Sequence, residues 1–329
     1  KFASETKFYA NYNQFGENIE KGAFVDPENV SEVVYLDARD EEGNILDRTI
    51  AINKIIAENQ DAAVVGSLVF GSKSGIKDDL NVIDTDSDTM WVVDLCQFRV
   101  DHKLIHELLA KGVMVMLTGS KFFQAPPFCA AMLVPRKWSE KLKNMDASII
   151  QPYGKLFSAY DVPWFMENIR ANLPTTENKA LRLRWEIALD EMEAYSYWSM
   201  RQTDNIITRW AMGVMKKLET STYFKLMPDQ LKTNTSIISF QVWVSGRALD
   251  NDELKKIFAA ITTDRHQGFK GDYNSVFFGQ PVQYGNKSFI RLALGAFSVR
   301  GFLEKDAVDL EDDFRLIEII ESYAEKMFG

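Results

Sequence analysis

The chain has 329 residues, 46% hydrophobic and 26% charged, which is enough to bury a large core and by size to form two domains. Its formal net charge of −9 argues against a nucleic-acid surface, because nothing offsets phosphate repulsion. No apolar run approaches membrane-spanning length and no signal peptide is visible, so a membrane span is not expected.

The two cysteines, Cys96 and Cys129, lie in apolar strand contexts and read as reduced, buried thiols of a cytoplasmic protein. His102, His106 and His266 offer no ligand spacing, and no metal is expected.

In chain order, Val33-Val34-Tyr35-Leu36 reads as a short strand ended by the charged turn Asp40–Gly43. Thr49 to Gln60 carries Ile50, Ile52, Ile55 and Ile56 at helical spacing. Ala62 to Leu68 is a buried strand, followed by the loop Gly71 to Gly75 and then the strand Met90 to Asp94. Asp101 to Lys111 is an amphipathic helix terminated by Gly112. Val113 to Leu117 and Cys129 to Val134 are further strands, the latter stopped by Pro135.

Alternating helices and near-continuous apolar strands predict an α/β fold with a doubly wound, mostly parallel sheet. Glu177 to Glu219 is rich in helix formers and predicts one or two long helices. Beyond it, strands at Ser236–Val244, Val276–Val282 and Phe289–Leu294 and helices at Leu254–Thr262 and Asp313–Met327 predict a smaller α+β domain. The expected division is a large domain over 1–175, a linking helix over 176–219 and a small domain over 220–329.

The chemistry concentrates in Asp94-Leu95-Cys96-Gln97 and Thr118-Gly119-Ser120-Lys121-Phe122-Phe123. Each run closes an apolar strand, so neighbouring parallel strands would present Asp94 and Lys121 on one rim, where open α/β sheets bind ligands. Singly, a strand-end aspartate is more often a turn or cap, and a lysine there is more often solvated; the pairing across one crossover is the stronger signal. A lysine for a Schiff base and an aspartate for a pyridine nitrogen are what pyridoxal 5'-phosphate needs.

Val92-Val93-Asp94-x-x-Gln97, with Thr118-Gly-Ser-Lys121-Phe-Phe-x-x-Pro126-Pro-Phe128, resembles the fold-type-I pyridoxal-phosphate enzymes, most closely the class V aminotransferase and cysteine-desulfurase-like group. Arg184-Trp185-Glu186 resembles the family's helix leading to the small domain, and Phe278–Val282 and Phe289–Leu292 resemble its strands. The resemblance implies a homodimeric transferase or lyase acting on a small amino-acid substrate, with Lys121 and Asp94 as catalytic residues. It also implies that Gln97, Thr118 and Ser120 hold the cofactor and that Arg291 binds the substrate carboxylate, against an ordinary surface ion pair as the plain alternative. Tyr12 falls where the family has a ring-stacking residue, and Ser72 would line the cofactor from its loop; a buried structural role is the alternative for Tyr12.

The chain also departs from the family's pattern. No phosphate-binding loop is recognisable upstream of Asp94, so the amino-terminal part of the family fold is expected to precede Lys1. Neither cysteine sits on a mobile loop, which disfavours desulfuration. One rival is a phosphate loop at Gly66-x-x-x-x-Gly71-Ser72-Lys73, although Ser72 occupies the place a lysine should take. The other is a non-catalytic or fragmentary member of the fold serving as a binding or structural subunit.

Overall fold

The computed structural model describes residues 33–83, 88–148, 157–230, 233–270 and 276–329; Tyr12 lies outside them. After helix α1 (Thr49–Glu58), strands β1 (Val65–Val69), β2 (Met90–Asp94), β3 (Met114–Thr118) and β4 (Ala130–Leu133) form one sheet in the order β1-β2-β3-β4. The first three are parallel, and β4 returns antiparallel to β3. The sheet is therefore mostly parallel, with an antiparallel edge where a further parallel strand was expected. The antiparallel turn arises because only Gly119 to Cys129 separates β3 from β4, too short for a helical crossover.

Helix α2 (His102–Ala110) supplies the β2–β3 crossover. Asp101 caps its first turn by accepting from the Lys103 amide at 3.0 Å, and Gly112, at φ +80°, ends the segment in the left-handed region. Val93, Leu95, Val115 and Leu117 are buried together with Trp91 and Ile105, so the two central strands are sealed between layers. The Val33–Leu36 strand is not formed: those residues lie in irregular structure, largely exposed, and only Arg39 bridges to Ile45. Among the described residues no strand pairs with this segment, and a local β preference alone does not form a strand.

Short helices α3 (Arg136–Lys143) and α4 (Glu167–Arg170) precede two long ones, α5 (Lys179–Ser196) and α6 (Met200–Glu219). The break between these two is a capping box at Ser199, whose hydroxyl accepts from Gln202 N while the Gln202 side chain receives the Ser199 amide. Beyond α6, strands β5 (Phe224–Leu226), β6 (Ile237–Val244), β7 (Arg247–Ala248), β8 (Gly279–Tyr284) and β9 (Lys287–Ala293) form an antiparallel sheet, in the order β5-β6-β9-β8 with β7 on β6. Helices α7 (Asn251–Thr263), α8 (Ala296–Lys305) and α9 (Glu311–Phe328) cover it. Its core joins Trp210, Phe240, Ile257, Ile290, Val299 and Ile320, contributed by helices and strands far apart in sequence.

One ionisable group sits inside that core's margin. Trp210 donates its indole N–H to Asp313 Oδ2 at 3.1 Å, and burial raises the Asp313 carboxyl to about 6 against the hydrogen bond's opposite pull. A carboxyl whose folded pKa is raised binds its proton more tightly folded than unfolded, so stability falls as pH climbs from the unfolded value of 3.8 to about 6. Asp313→Asn keeps an acceptor for Trp210 and removes the charge. It is expected to stabilise the protein by about 1–3 kcal/mol at pH 7 and by little at pH 4, read from urea midpoints at the two pH values.

Candidate functional site

The rim of the first sheet is built by strand register. Asp94 closes β2 and pairs with Met116 of β3, so Thr118 stands one pleat further along the same edge and Lys121 follows in the turn. Asp94 Oδ1 accepts from the Cys96 amide at 2.7 Å, which curls the chain after the strand and points the half-buried carboxylate along the rim. The Cys96 thiol also bonds to Asp94, and its pKa is pushed up to about 12, chiefly by burial and then by that carboxylate, with nearby Lys121 pulling it down. Asp94, Cys96 and Lys121 therefore share one electrostatic neighbourhood. The Lys121 side chain is exposed and has no carboxylate partner among the described residues.

The other predicted residues divide. Gln97 is buried against the Gly71 turn, where a glycine Cβ would meet Gln97 Cβ at 3.8 Å. Thr118 donates its only hydroxyl proton to the Cys129 carbonyl, so the 2.8 Å contact with Ser120 Oγ is made by the serine's proton. Both hydroxyls are thereby turned toward the protein, and a bound anion would be met by the serine's acceptor face until it rotates. Ser72 caps its own loop, its Oγ accepting from Ile76 N at 3.2 Å and Ser74 N at 3.3 Å.

Gly66 lies inside β1 under the Trp91 ring, at which a Cβ would approach to 2.5 Å, and no helix opens after Gly71. That geometry removes the phosphate-loop alternative. Cys129 is fully buried and unpaired; burial raises its pKa, and neither thiol forms a disulfide.

Arg291 is engaged differently from the expected carboxylate clamp. Its Nη1 donates to the Lys73 carbonyl at 2.6 Å and its Nη2 to the Gln280 carbonyl at 2.9 Å. It reaches them because its cross-strand partner is Gly279, where a Cβ would lie 2.8 Å from Arg291 Cβ. Arg291 thus ties the loop after β1 to the second sheet. The Gly75 carbonyl closes the same junction by accepting from Asn234 N at 3.0 Å, while Gly75 N turns the loop back on Ser72 O at 2.8 Å.

Arg99, which sequence reasoning passed over, makes a second tie. It donates to Ser236 Oγ at 2.7 Å and to the Leu294 carbonyl, with its guanidinium 4.9 Å from the Phe122 ring centre. Its place five residues beyond Asp94 was the available signal.

A cleft of about 490 Å³ opens beside this junction, lined by Gln124, Ile187, Asp190, Glu191, Phe297 and Arg300. It contains neither Asp94 nor Lys121. A fork of two 2.9 Å bonds from Arg300 to Glu191 holds α8 on α5 there.

No family model matches the chain, and no curated protein is similar to it. Among solved structures it is similar to Catharanthus roseus tryptophan decarboxylase in complex with L-tryptophan (TM-score 0.52, 14% identity, 86% of this chain and 55% of that one). It is also similar to an alanine–glyoxylate aminotransferase from Nostoc sp. (TM-score 0.52, 14% identity, 86% of this chain and 67% of that one). A third likeness is Rhodiola rosea 4-hydroxyphenylacetaldehyde synthase (TM-score 0.51, 13% identity, 93% and 58%).

The chain has the fold of the fold-type-I pyridoxal-phosphate enzymes. It spans 55% and 58% of the length of the decarboxylase and the synthase. No helix among the described residues is long and apolar enough to cross a membrane.

Proposed function

We propose that the chain is the catalytic part of a pyridoxal-5'-phosphate-dependent enzyme that acts on an amino acid, of transferase or lyase type. The observation that carries the reading is the convergence of Asp94, at the end of one parallel strand, and Lys121, just past the end of its neighbour, around Cys96. The donor set fits the cofactor: an exposed amine without a carboxylate partner and a half-buried carboxylate on one rim, beside the buried amide of Gln97.

Bound pyridoxal phosphate supplies an electron sink for the bonds at a substrate's α-carbon. In this reading Asp94 holds a proton on the pyridine nitrogen, and the Cys96 amide fixes which carboxylate oxygen is left to do so. Lys121 anchors the cofactor aldehyde, then takes and returns a proton at the substrate α-carbon. Gln97 donates to the cofactor's phenolic oxygen; Ser120 meets the phosphate once it turns its hydroxyl outward, and Thr118 does so once its own hydroxyl leaves the Cys129 carbonyl. Ser72 lines the cofactor in the same proposal. Arg291 offers the substrate carboxylate a positive field while its Nη groups hold the loop carbonyls. The likeness to both a decarboxylase and an aminotransferase supports the coarser reading, transferase or lyase, over either alone.

The exposed apolar pair Leu183 and Ile187, one turn apart on α5 and 57% and 42% exposed, supports a second copy of the chain as its cover, giving a homodimer. The two unpaired thiols support a reducing, cytoplasmic setting.

The non-catalytic reading is favoured by one observation: the described clefts exclude Asp94 and Lys121. Adding pyridoxal phosphate to the protein separates the two readings. The catalytic reading expects a visible-region absorbance band that saturates with cofactor and is missing in Lys121→Ala. A protein that stays colourless in excess cofactor belongs to the other reading.

A further inference from the structure

The turns that carry Asp94 and Lys121 are anchored in different cores. Val93 and Leu95, on either side of Asp94, are buried in the core of the first sheet. Phe122 and Phe123, which follow Lys121, are buried in the core of the second. Strand register places Asp94 against Met116, but beyond Thr118 the lysine turn follows the second sheet, where Phe122 O accepts from Ala296 N at 2.8 Å. Among the described residues, Phe98 is the one that packs against both cores.

Phe98 does so from a strained backbone. Its φ of +52° lies in the left-handed region, which is costly for a bulky side chain. Its amide donates to Leu95 O at 2.7 Å, closing a turn that starts directly after Asp94. Gln124, at φ +55°, closes the other turn in the same way, its amide donating to Lys121 O at 3.2 Å. A ring contact joins the two turns: Phe98 meets Phe123 edge to face, with centroids 5.2 Å apart. Backbone strain of this kind persists only where neighbouring contacts hold it, and it collects at functional sites.

We propose that Phe98 is a positioning residue whose ring, seated on Phe123, holds the left-handed turn after Asp94 and thereby sets the spacing of Asp94 and Lys121. Calling those two residues catalytic rests on the pyridoxal-phosphate reading. The strained joint between the cores does not.

Substitution at Phe98 separates holding from mere filling, because the two predict opposite orders for alanine and glycine. Alanine loses the ring and is still disfavoured at φ +52°, so the turn either stays strained or moves. Glycine loses the ring but adopts that backbone freely. Without cofactor, Phe98→Gly is therefore expected to have a higher urea midpoint than Phe98→Ala, although it is the smaller residue. With added pyridoxal 5'-phosphate, Phe98→Ala is expected to need at least about tenfold more cofactor than the native chain to half-saturate the visible band. Phe98→Gly is expected to need no more than about threefold. Phe98→Leu keeps apolar volume and the strained backbone; it is expected to match alanine in cofactor demand, and serves if the alanine variant fails to fold.

A urea midpoint for Phe98→Ala at or above that of Phe98→Gly overturns the proposal. Cofactor demand within about threefold of native in the alanine or leucine variant does so as well. Either result beside a normal native band removes Phe98 alone. A glycine-over-alanine order in a protein that stays colourless removes the cofactor reading alone.

Discussion

Asp94→Ala is expected to reduce turnover at least about 10³-fold, equivalent to about 4 kcal/mol of lost transition-state stabilisation, while the protein stays folded. The reasoning begins with what the side chain does in the resting structure. Its structural duty is one hydrogen bond, from the Cys96 amide, together with the contact from the Cys96 thiol. Losing those costs about 1–2 kcal/mol, a few degrees in melting temperature for a chain of this size.

Its proposed chemical duty is larger, since a protonated ring nitrogen is what makes the cofactor draw electrons. Asp94→Asn isolates the two duties, because the amide oxygen still accepts from Cys96 N but cannot stabilise a ring proton by charge. The expected pattern is near-native melting and poor turnover in the asparagine variant. Turnover within threefold of native in either variant, assayed with saturating cofactor, would remove Asp94 from the chemistry.

Gly119→Ala is expected to be the most damaging small substitution on the rim. Gly119 sits between Thr118 and Ser120 where a Cβ would lie 2.4 Å from Ala188 Cβ on α5 and 3.1 Å from Cys129 Sγ. Neither neighbour can yield by rotating a flexible tip: Ala188 Cβ is bonded to helix backbone, and Cys129 is fully buried. Either α5 moves away from the strand edge or the turn carrying Lys121 shifts.

Overpacking of this kind costs about 1–3 kcal/mol. A displacement near 1 Å in the lysine turn is enough to lower turnover by about 10²-fold. Ala188→Gly removes the main clash at about 1 kcal/mol of helix propensity. The double variant is therefore expected to be more stable than the sum of the two singles, and to recover turnover. Strict additivity in urea denaturation would show that these two positions do not meet.

How much of this was legible beforehand varies with the range of the interaction responsible. Helix α2 was readable to within a residue at each end, since Asp101 and Gly112 are local signals. Strands β2 and β3 were readable because strands covered on both faces are nearly continuous in apolar residues. Strand β1, expected to be buried over 62–68, instead runs Val65–Val69 and is buried only at Leu68, with Val65 62% exposed. The antiparallel return of β4 was missed: direction depends on the length and path of the connection, and the strand's own residues do not encode it. Helix α8 and strand β5 were missed for a related reason. Ala296–Lys305 begins at a glycine without a side-chain cap, and Phe224–Leu226 has only three residues, so each is held by packing on α6 and β6.

The linear order of residues determined which side chains would stand at the strand ends, because that placement follows from strand period and strand length. It thereby assigned Asp94 and Lys121 to one rim and implied the family whose fold the chain has. Tertiary structure decided how the remaining polar groups are used. Thr118 turned inward because the Cys129 carbonyl faces it across the hairpin, and Arg291 took up two carbonyls because Gly279 leaves it room to cross β8. Arg99 became a junction residue because Ser236 and Leu294 arrive from well over a hundred residues away. Local backbone periodicity is written in neighbouring residues, whereas a hydrogen-bond partner far along the chain is known only once the core has closed.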